Sequence, residues 1–246
     1  AGGLVAGGVA AIMGADCSGV TGASLANVAL PNGVVMISPS ATSPALTTAE
    51  DNGLFFRTAP TDARQGQILA DMVSERGVTE IAVTYTNNDY GKGLADAFQE
   101  NFEAKGGTVT ISAAHEDGKA DYSAEVAALA AAGGEELAVF GYLDQGGKGI
   151  IQASIDTGAF DVFVMGDGMI GDSIAAAIGS DFDGSYGTVP GSTSAGAMTW
   201  INTVSGDGVD GSAPFTAESY DAAALLVMAM QAAGSSDRDA NAAQVQ

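Results

Sequence analysis

Short apolar runs recur along the chain, each closed by glycine or polar residues and followed by a longer amphipathic stretch. Val9–Met13, Val34–Ile37, Ile81–Tyr85, Val109–Ala113, Leu137–Tyr142, Val162–Met165 and Tyr186–Val189 have the length and continuity of buried strands. Between them, residues 19–29, 64–76, 90–105, 122–132, 148–157 and 172–178 carry apolar side chains at helical spacing. Several helix ends are readable. Gly106-Gly107 follows Lys105 and Gly133-Gly134 follows Ala132, where a chain leaving a helix favours glycine. Asp121 or Ser123 stands where a cap for the helix through Ala124–Leu129 is needed.

Strands separated by single helices predict βαβ units, hence an α/β fold with parallel sheets and helices on both faces. The rhythm changes after about residue 191. Two helices follow, Ala195–Val204 and Phe215–Ala233, joined by the polar, glycine-rich loop Ser205–Ser212. Tyr220, Leu225, Leu226, Met228 and Met230 recur at roughly helical spacing and are expected to pack into the core. Only two of the strand-like runs precede residue 60, too few for a stable doubly wound sheet, and the final "DRDANAAQVQ" reads as the start of a helix. Elements are therefore expected to be missing at both termini.

Charge narrows the partners. The 246 residues hold 30 acidic and 8 basic side chains, a formal net charge of −22. Such a chain repels phosphate backbones and anionic bilayers, which argues against a nucleic-acid or membrane-surface partner. It suits solubility, or a salty exterior where screening relieves self-repulsion. No run approaches the ~18 apolar residues of a membrane span. No signal-peptide pattern is visible at Ala1-Gly2-Gly3. His115 is the only histidine and Cys17 the only cysteine, so a Cys/His metal centre cannot be assembled. No GxGxxG turn follows a strand and no Walker-type loop is present, so neither a nucleotide cofactor nor nucleotide-dependent catalysis is expected.

In open α/β sheets, ligands sit beyond the carboxyl ends of the strands. There the chain places "GADCSGVTG" with Ser18, and "SPSATSPAL" with Ser40 and Thr42. These hydroxyls and amides suit a carboxylate, although the same residues also serve as caps and turns. Later strands end at "TYTNNDYGKG" with Tyr90, "FGYLDQGGKG" with Tyr142, and "VMGDGMIGDS" with Asp167. A carboxylate and two aromatic rings suit an ammonium and an apolar side chain. A turn aspartate and ordinary half-buried tyrosines read the same way. Taken together, the two groups of residues fit a zwitterion such as a free α-amino acid.

The stretches "GADCSGVTGASLANVALPNGVVMISPSATSPALT", "FFRTAPTDARQGQ" and "TNNDYGKGLADAF" closely resemble the periplasmic leucine/isoleucine/valine-type binding proteins, the substrate-binding subunits of ABC amino-acid importers. The resemblance implies the type I two-lobe fold, with discontinuous lobe 1 at about residues 1–60 plus 191–246 and lobe 2 at about 61–190. It implies a carboxylate-binding serine at Ser18, hydroxyl and backbone contacts at Ser40, Ala41 and Thr42, aromatic groups at Tyr90 and Tyr142, and an acidic partner for the ligand ammonium at Asp167, where the alignment needs a small gap. Cys17 corresponds to a half-cystine whose partner lies upstream. The implied protein is an extracytoplasmic monomer with no cofactor, metal or catalysis, which closes on a small amino acid or related carboxylate by hinge motion and docks on a membrane permease. The alternative it leaves is a ligand-sensing receptor domain of the same fold, recognising amides, aromatic acids or another small molecule.

Overall fold

A computed structural model describes residues 1–245 and divides the chain into two compact units, one of Ala1–Pro60 with the segment from Pro190 onwards, the other of Thr61–Val189.

The first unit opens with α1 (Gly2–Ala6), β1 (Ala11–Met13) and α2 (Ser18–Ser24), which runs through a π-helical turn, Leu25–Ala29, into α3 (Leu30–Asn32). Gly33, at φ 60°, releases the chain into β2 (Val35–Ser38), and β3 (Phe55–Arg57) completes a parallel sheet of order β1-β2-β3. This third strand was not expected: three residues with one apolar pair cannot be told from a loop. All four β2 side chains are buried, and successive ones serve opposite faces. Met36 packs with Leu25, Ala29 and Leu46, whereas Val35 and Ile37 pack against Ala222 and Leu226.

The second unit runs α4 (Asp62–Glu75), β4 (Glu80–Thr86), α5 (Asp89–Ala104), β5 (Thr108–His115), α6 (Ser123–Ala132), β6 (Glu136–Phe140), α7 (Lys148–Thr157), β7 (Phe163–Met165), α8 (Asp172–Ile178) and β8 (Tyr186–Gly187). Its sheet is parallel in the order β5-β4-β6-β7-β8. The strands and helices lie where the periodicity predicts them, shifted by a few residues at their ends. The α6 N-cap falls on Tyr122, without a side-chain cap, instead of on Asp121 or Ser123; Asp121, one residue earlier, accepts from the Ser123 amide at 2.9 Å. Along β6, Leu137 and Val139 enter the cluster with Ile150 and Phe163, while Ala138 and Phe140 enter the one with Leu94 and Phe98. Helices cover both faces, so the strands read as continuous apolar runs. Each large side chain buried this way contributes about 1.5–3 kcal/mol.

The chain then returns to the first unit as α9 (Ala195–Ser205), α10 (Thr216–Ala233) and α11 (Arg238–Val245). The expected core stripe of α10 is only partly buried. Leu226 is inside, but its neighbours there are Ala222 and Ala229; Met230 is half-buried, and Tyr220, Leu225 and Met228 are exposed, Met228 by 57%. Close approach to β1 and β2 selects the small residues at 222 and 229, which turns the larger side chains away. Tyr220 packs at a tilt of 36° against Trp200 instead, with ring centroids 4.5 Å apart.

His115 closes β5 with 1% of its surface exposed. Thr84 Oγ1 donates to the Ala113 carbonyl at 3.0 Å, so the 2.9 Å contact to His115 Nδ1 must be donated by the ring. Nε2 is then a bare, buried lone pair, and it has no hydrogen-bond partner among the described residues. Burial lowers the His115 pKa against the opposing pull of Asp117, Glu125 and Glu116. Around pH 6 the unfolded chain therefore binds the proton more readily than the folded one. The stability carried by neutral His115 is complete above the unfolded value of about 6.5 and is lost as pH falls below it, by at most about 1.4 kcal/mol per pH unit. Urea unfolding of wild type should show this loss between about pH 7 and pH 5, and His115→Gln should flatten it. Equal slopes in both proteins would refute this role for the only histidine.

Candidate functional site

Two groups of candidate residues lie at the carboxyl ends of the strands, one in each unit. In the first, Cys17 caps α2 and Ser18 is its first helical residue. Ser18 Oγ accepts from the Ser43 amide at 3.1 Å, which leaves its own hydrogen free to donate. Ser38, the last residue of β2, donates from Oγ to the Ala15 carbonyl at 2.6 Å and accepts from the Ser40 and Ala41 amides at 3.4 and 3.0 Å. These bonds fold the prolines and hydroxyls after β2 back against the loop after β1. Ser40 Oγ is spent on Asp16 Oδ1 at 2.5 Å, at the edge of a cleft of about 760 Å³ that Met13, Trp200, Phe215 and Tyr220 also line. Thr42 differs. It is 2% exposed, and Oγ1 makes no hydrogen bond among the described residues. A buried hydroxyl without a protein partner is rare enough to require an explanation.

Arg57 is a residue that the sequence pattern does not mark. The β2–β3 register sets it beside Ser38. Its Nη1 donates to the carbonyls of Ala41 and Ser43 at 3.1 and 2.9 Å. One guanidinium thus grips the backbone on both sides of Thr42. The available signal was a cation directly ending the apolar Phe55-Phe56 pair in a chain with eight basic residues.

In the second unit Asn88 caps α5 by accepting from the Tyr90 and Gly91 amides, and so roots Tyr90 at the first turn. Tyr142 follows β6, and its ring stacks on that of Tyr90 with centroids 5.1 Å apart. Asp167 begins the turn after β7. Tyr90 donates from its hydroxyl to Asp167 Oδ1 at 3.0 Å and accepts from the Gly168 amide at 3.0 Å. Tyr90, Tyr142 and Asp167 are therefore one assembly. Its closeness explains the glycines of "MGDGM": a Cβ on Gly168 would lie 2.5 Å from the Gly141 carbonyl oxygen and 2.9 Å from the Tyr90 hydroxyl, and one on Gly166 would lie 2.6 Å from Leu94.

Asp167 is 7% exposed, and burial raises its pKa above the ordinary carboxylate value, against the hydrogen bond that Tyr90 donates. Burial is also the largest cause of the strongly raised Tyr90 pKa, followed by the charges of Asp167 and Asp62. Tyr90 is therefore a neutral hydrogen-bond donor throughout the physiological range. The assembly offers one desolvated acid beside aromatic surface, which can accept an ammonium. The group around Thr42 offers hydroxyl donors to a carboxylate. Among the described residues no group of three or more His, Cys, Asp or Glu is arranged to hold a metal ion, and no helix is long and apolar enough to cross a membrane.

A family model described as periplasmic binding protein matches residues 1–246. Leu/Ile/Val-binding protein homolog 3 of Brucella melitensis is 31% identical over 98% of this chain, which spans 65% of that relative's length. Among solved structures, the branched-chain amino acid transporter substrate binding protein of Streptococcus pneumoniae, in complex with isoleucine, is 25% identical, with TM-score 0.81 over 98% of this chain and 69% of that one. An ABC-transporter solute binding protein of Rhodopseudomonas palustris, in complex with p-hydroxybenzoic acid, is similar in fold at 19% identity, with TM-score 0.83 over 99% of this chain and 68% of that one.

Proposed function

Since the chain belongs to the periplasmic binding protein family, we propose that it is the solute-capturing part of an extracytoplasmic ABC importer and that its ligand is an α-amino acid. In this reading the first unit takes the carboxylate through the Ser18 and Thr42 hydroxyls, and the second takes the ammonium on Asp167. The ligand joins the two by hinge closure, and the closed form docks on a membrane permease. Closure is driven only by ligand interactions that the open form lacks. The observation that carries the reading is the orphan Thr42 hydroxyl, buried inside a loop in which the Ser38 and Ser40 hydroxyls already have partners. A carboxylate oxygen supplies what it lacks.

An aromatic acid, such as the ligand of the Rhodopseudomonas palustris protein, would meet the same hydroxyls but would leave Asp167 facing no cation. The buried acid favours the amino acid. A thermal-shift screen of the common amino acids alongside benzoate and p-hydroxybenzoate separates the two. At a ligand concentration about 100 times Kd, binding adds about 2.7 kcal/mol to stability. The expected stabilisation is confined to amino acids with apolar side chains. Thr42→Ala is expected to weaken binding about tenfold, the loss of one hydrogen bond to a charged group, with little change in the melting temperature of the ligand-free protein. Unchanged affinity on calorimetry would remove Thr42 from the site.

A further inference from the structure

The loop that follows β5 reaches Tyr90 through residues that no motif marks. The β4–β5 register pairs Thr86, the last residue of β4, with His115, two positions before Asp117. Thr86 is 1% exposed, and its Oγ1 donates to Asp117 Oδ2 at 2.8 Å. Asp117 Oδ1 has no hydrogen-bond partner among the described residues, so Thr86 is the partner this carboxylate has there. Asn88 donates from Nδ2 to Thr86 Oγ1 at 3.4 Å and accepts on Oδ1 from the Tyr90 and Gly91 amides, each at 3.0 Å. The packing is as close as the bonding: a Cβ on Gly91 would lie 2.7 Å from Thr86 Cγ2.

We infer that Asp117 and Thr86 are positioning residues for the ligand's ammonium end: they fix the direction of a hydrogen-bond relay that, through Asn88, holds the Tyr90 hydroxyl on Asp167. The inference rests on the amino-acid reading above. The direction follows from counting donors and acceptors. An ionised carboxylate only accepts, so the single Thr86 hydroxyl hydrogen is spent on Asp117. What Thr86 can then offer Asn88 is a lone pair, and Asn88 meets it with its amide nitrogen. That turns the amide oxygen of Asn88 toward the first N–H groups of α5, which is the orientation a cap requires. Reversed, the amide would set its nitrogen against the N–H groups of Tyr90 and Gly91 and leave both without a partner. The relay ends at the assembly, because the Tyr90 hydroxyl donates to Asp167 Oδ1 and accepts from the Gly168 amide, both at 3.0 Å. With the first turn of α5 loosened, Tyr90 holds the carboxylate less firmly, and the ammonium loses a fixed acceptor.

The test is a double-mutant cycle on leucine affinity, read by calorimetry on wild type, Thr86→Val, Tyr90→Phe and the two changes together. Valine keeps the shape of threonine and takes the hydroxyl out of the relay. Thr86→Val should weaken leucine about fivefold, and Tyr90→Phe about tenfold by removing the bond to the Asp167 carboxylate. On the Tyr90→Phe background, Thr86→Val should cost less than about twofold, because residues acting through one hydrogen-bond network are not additive. Affinity for 4-methylpentanoate, leucine without its amino group, is read by displacement of leucine and should change less than about twofold in Thr86→Val. Thr86→Ser, which restores the hydroxyl, should return leucine affinity to within about twofold of wild type. Thermal unfolding confirms that the variants fold. Should valine prevent folding, Asp117→Ala, in the turn after β5, takes its place in the same cycle. Additive losses, equal weakening of both ligands or an unchanged leucine affinity would overturn the inference and leave Thr86 a structural residue. All three results leave the amino-acid reading standing. Wild type that binds no α-amino acid overturns the reading and the inference together.

Discussion

Asp167→Asn is expected to lower leucine affinity by about 100-fold or more while raising the melting temperature of the ligand-free protein. The first effect follows from leaving a desolvated ammonium without its counter-charge, a loss of about 3–5 kcal/mol for a buried pair. The second follows from linkage. The folded-state pKa of Asp167 is raised by burial, so the folded protein binds this proton more tightly than the unfolded chain. Stability therefore falls as pH rises through the window between the unfolded value of about 3.9 and the raised folded value, and stays lowered at neutral pH. Asparagine has no charge to desolvate, and its carbonyl can still accept from Tyr90. The gain in melting temperature should be present near pH 7 and vanish below both pKa values. A variant that melts lower at neutral pH would mean that Asp167 is structural, not a poised acceptor.

Arg57→Met is expected to act oppositely on ligand choice. It removes the bonds to the Ala41 and Ser43 carbonyls, two residues that are 0% and 2% exposed. Hydrogen bonds to a charged donor contribute about 1.5–3 kcal/mol each, and stranded buried carbonyls cost about 1–3 kcal/mol. The loop carrying Thr42 then loses its fixed form. Affinity should fall about 10- to 100-fold for every carboxylate ligand, leucine and 4-methylpentanoate alike. Asp167→Asn penalises only the ligand with an amine. Calorimetry of both ligands on both variants separates a carboxylate subsite from an ammonium subsite. Loss of only one ligand on Arg57→Met would contradict the assignment.

How much of this is legible in the chain depends on the range over which each residue acts. Strands β4, β6 and β7 are covered on both faces and announce themselves as unbroken apolar runs; once they are placed, the positions just after them, Tyr90, Tyr142 and Asp167, can be picked out from the sequence. Ser18, Ser40 and Thr42 are reached in the same way from β1 and β2, whereas Ala41 comes only from the family resemblance. Strand β3 escapes because three residues carry no period. The buried line of α10 escapes because a sheet at close range selects alanine, while a reading by size selects tyrosine and methionine. Arg57 escapes for another reason: it acts on the backbone carbonyls of Ala41 and Ser43, 16 and 14 positions away. The Ser38 hydroxyl that folds the loop after β2, bonding across 23 positions to Ala15, is equally silent in the linear pattern.

The central claim is that one ligand is recognised at both of its charges, by Thr42 and its neighbours at one end and by Asp167 at the other. Calorimetry of the wild-type chain with leucine, 4-methylpentanoate and 3-methylbutylamine tests it directly, since each analogue keeps the side chain and loses one charge. Leucine is expected to bind at least about 100-fold more tightly than either analogue, as loss of one buried charged partner costs about 3–5 kcal/mol. An analogue that binds as tightly as leucine would contradict the claim at the end it lacks.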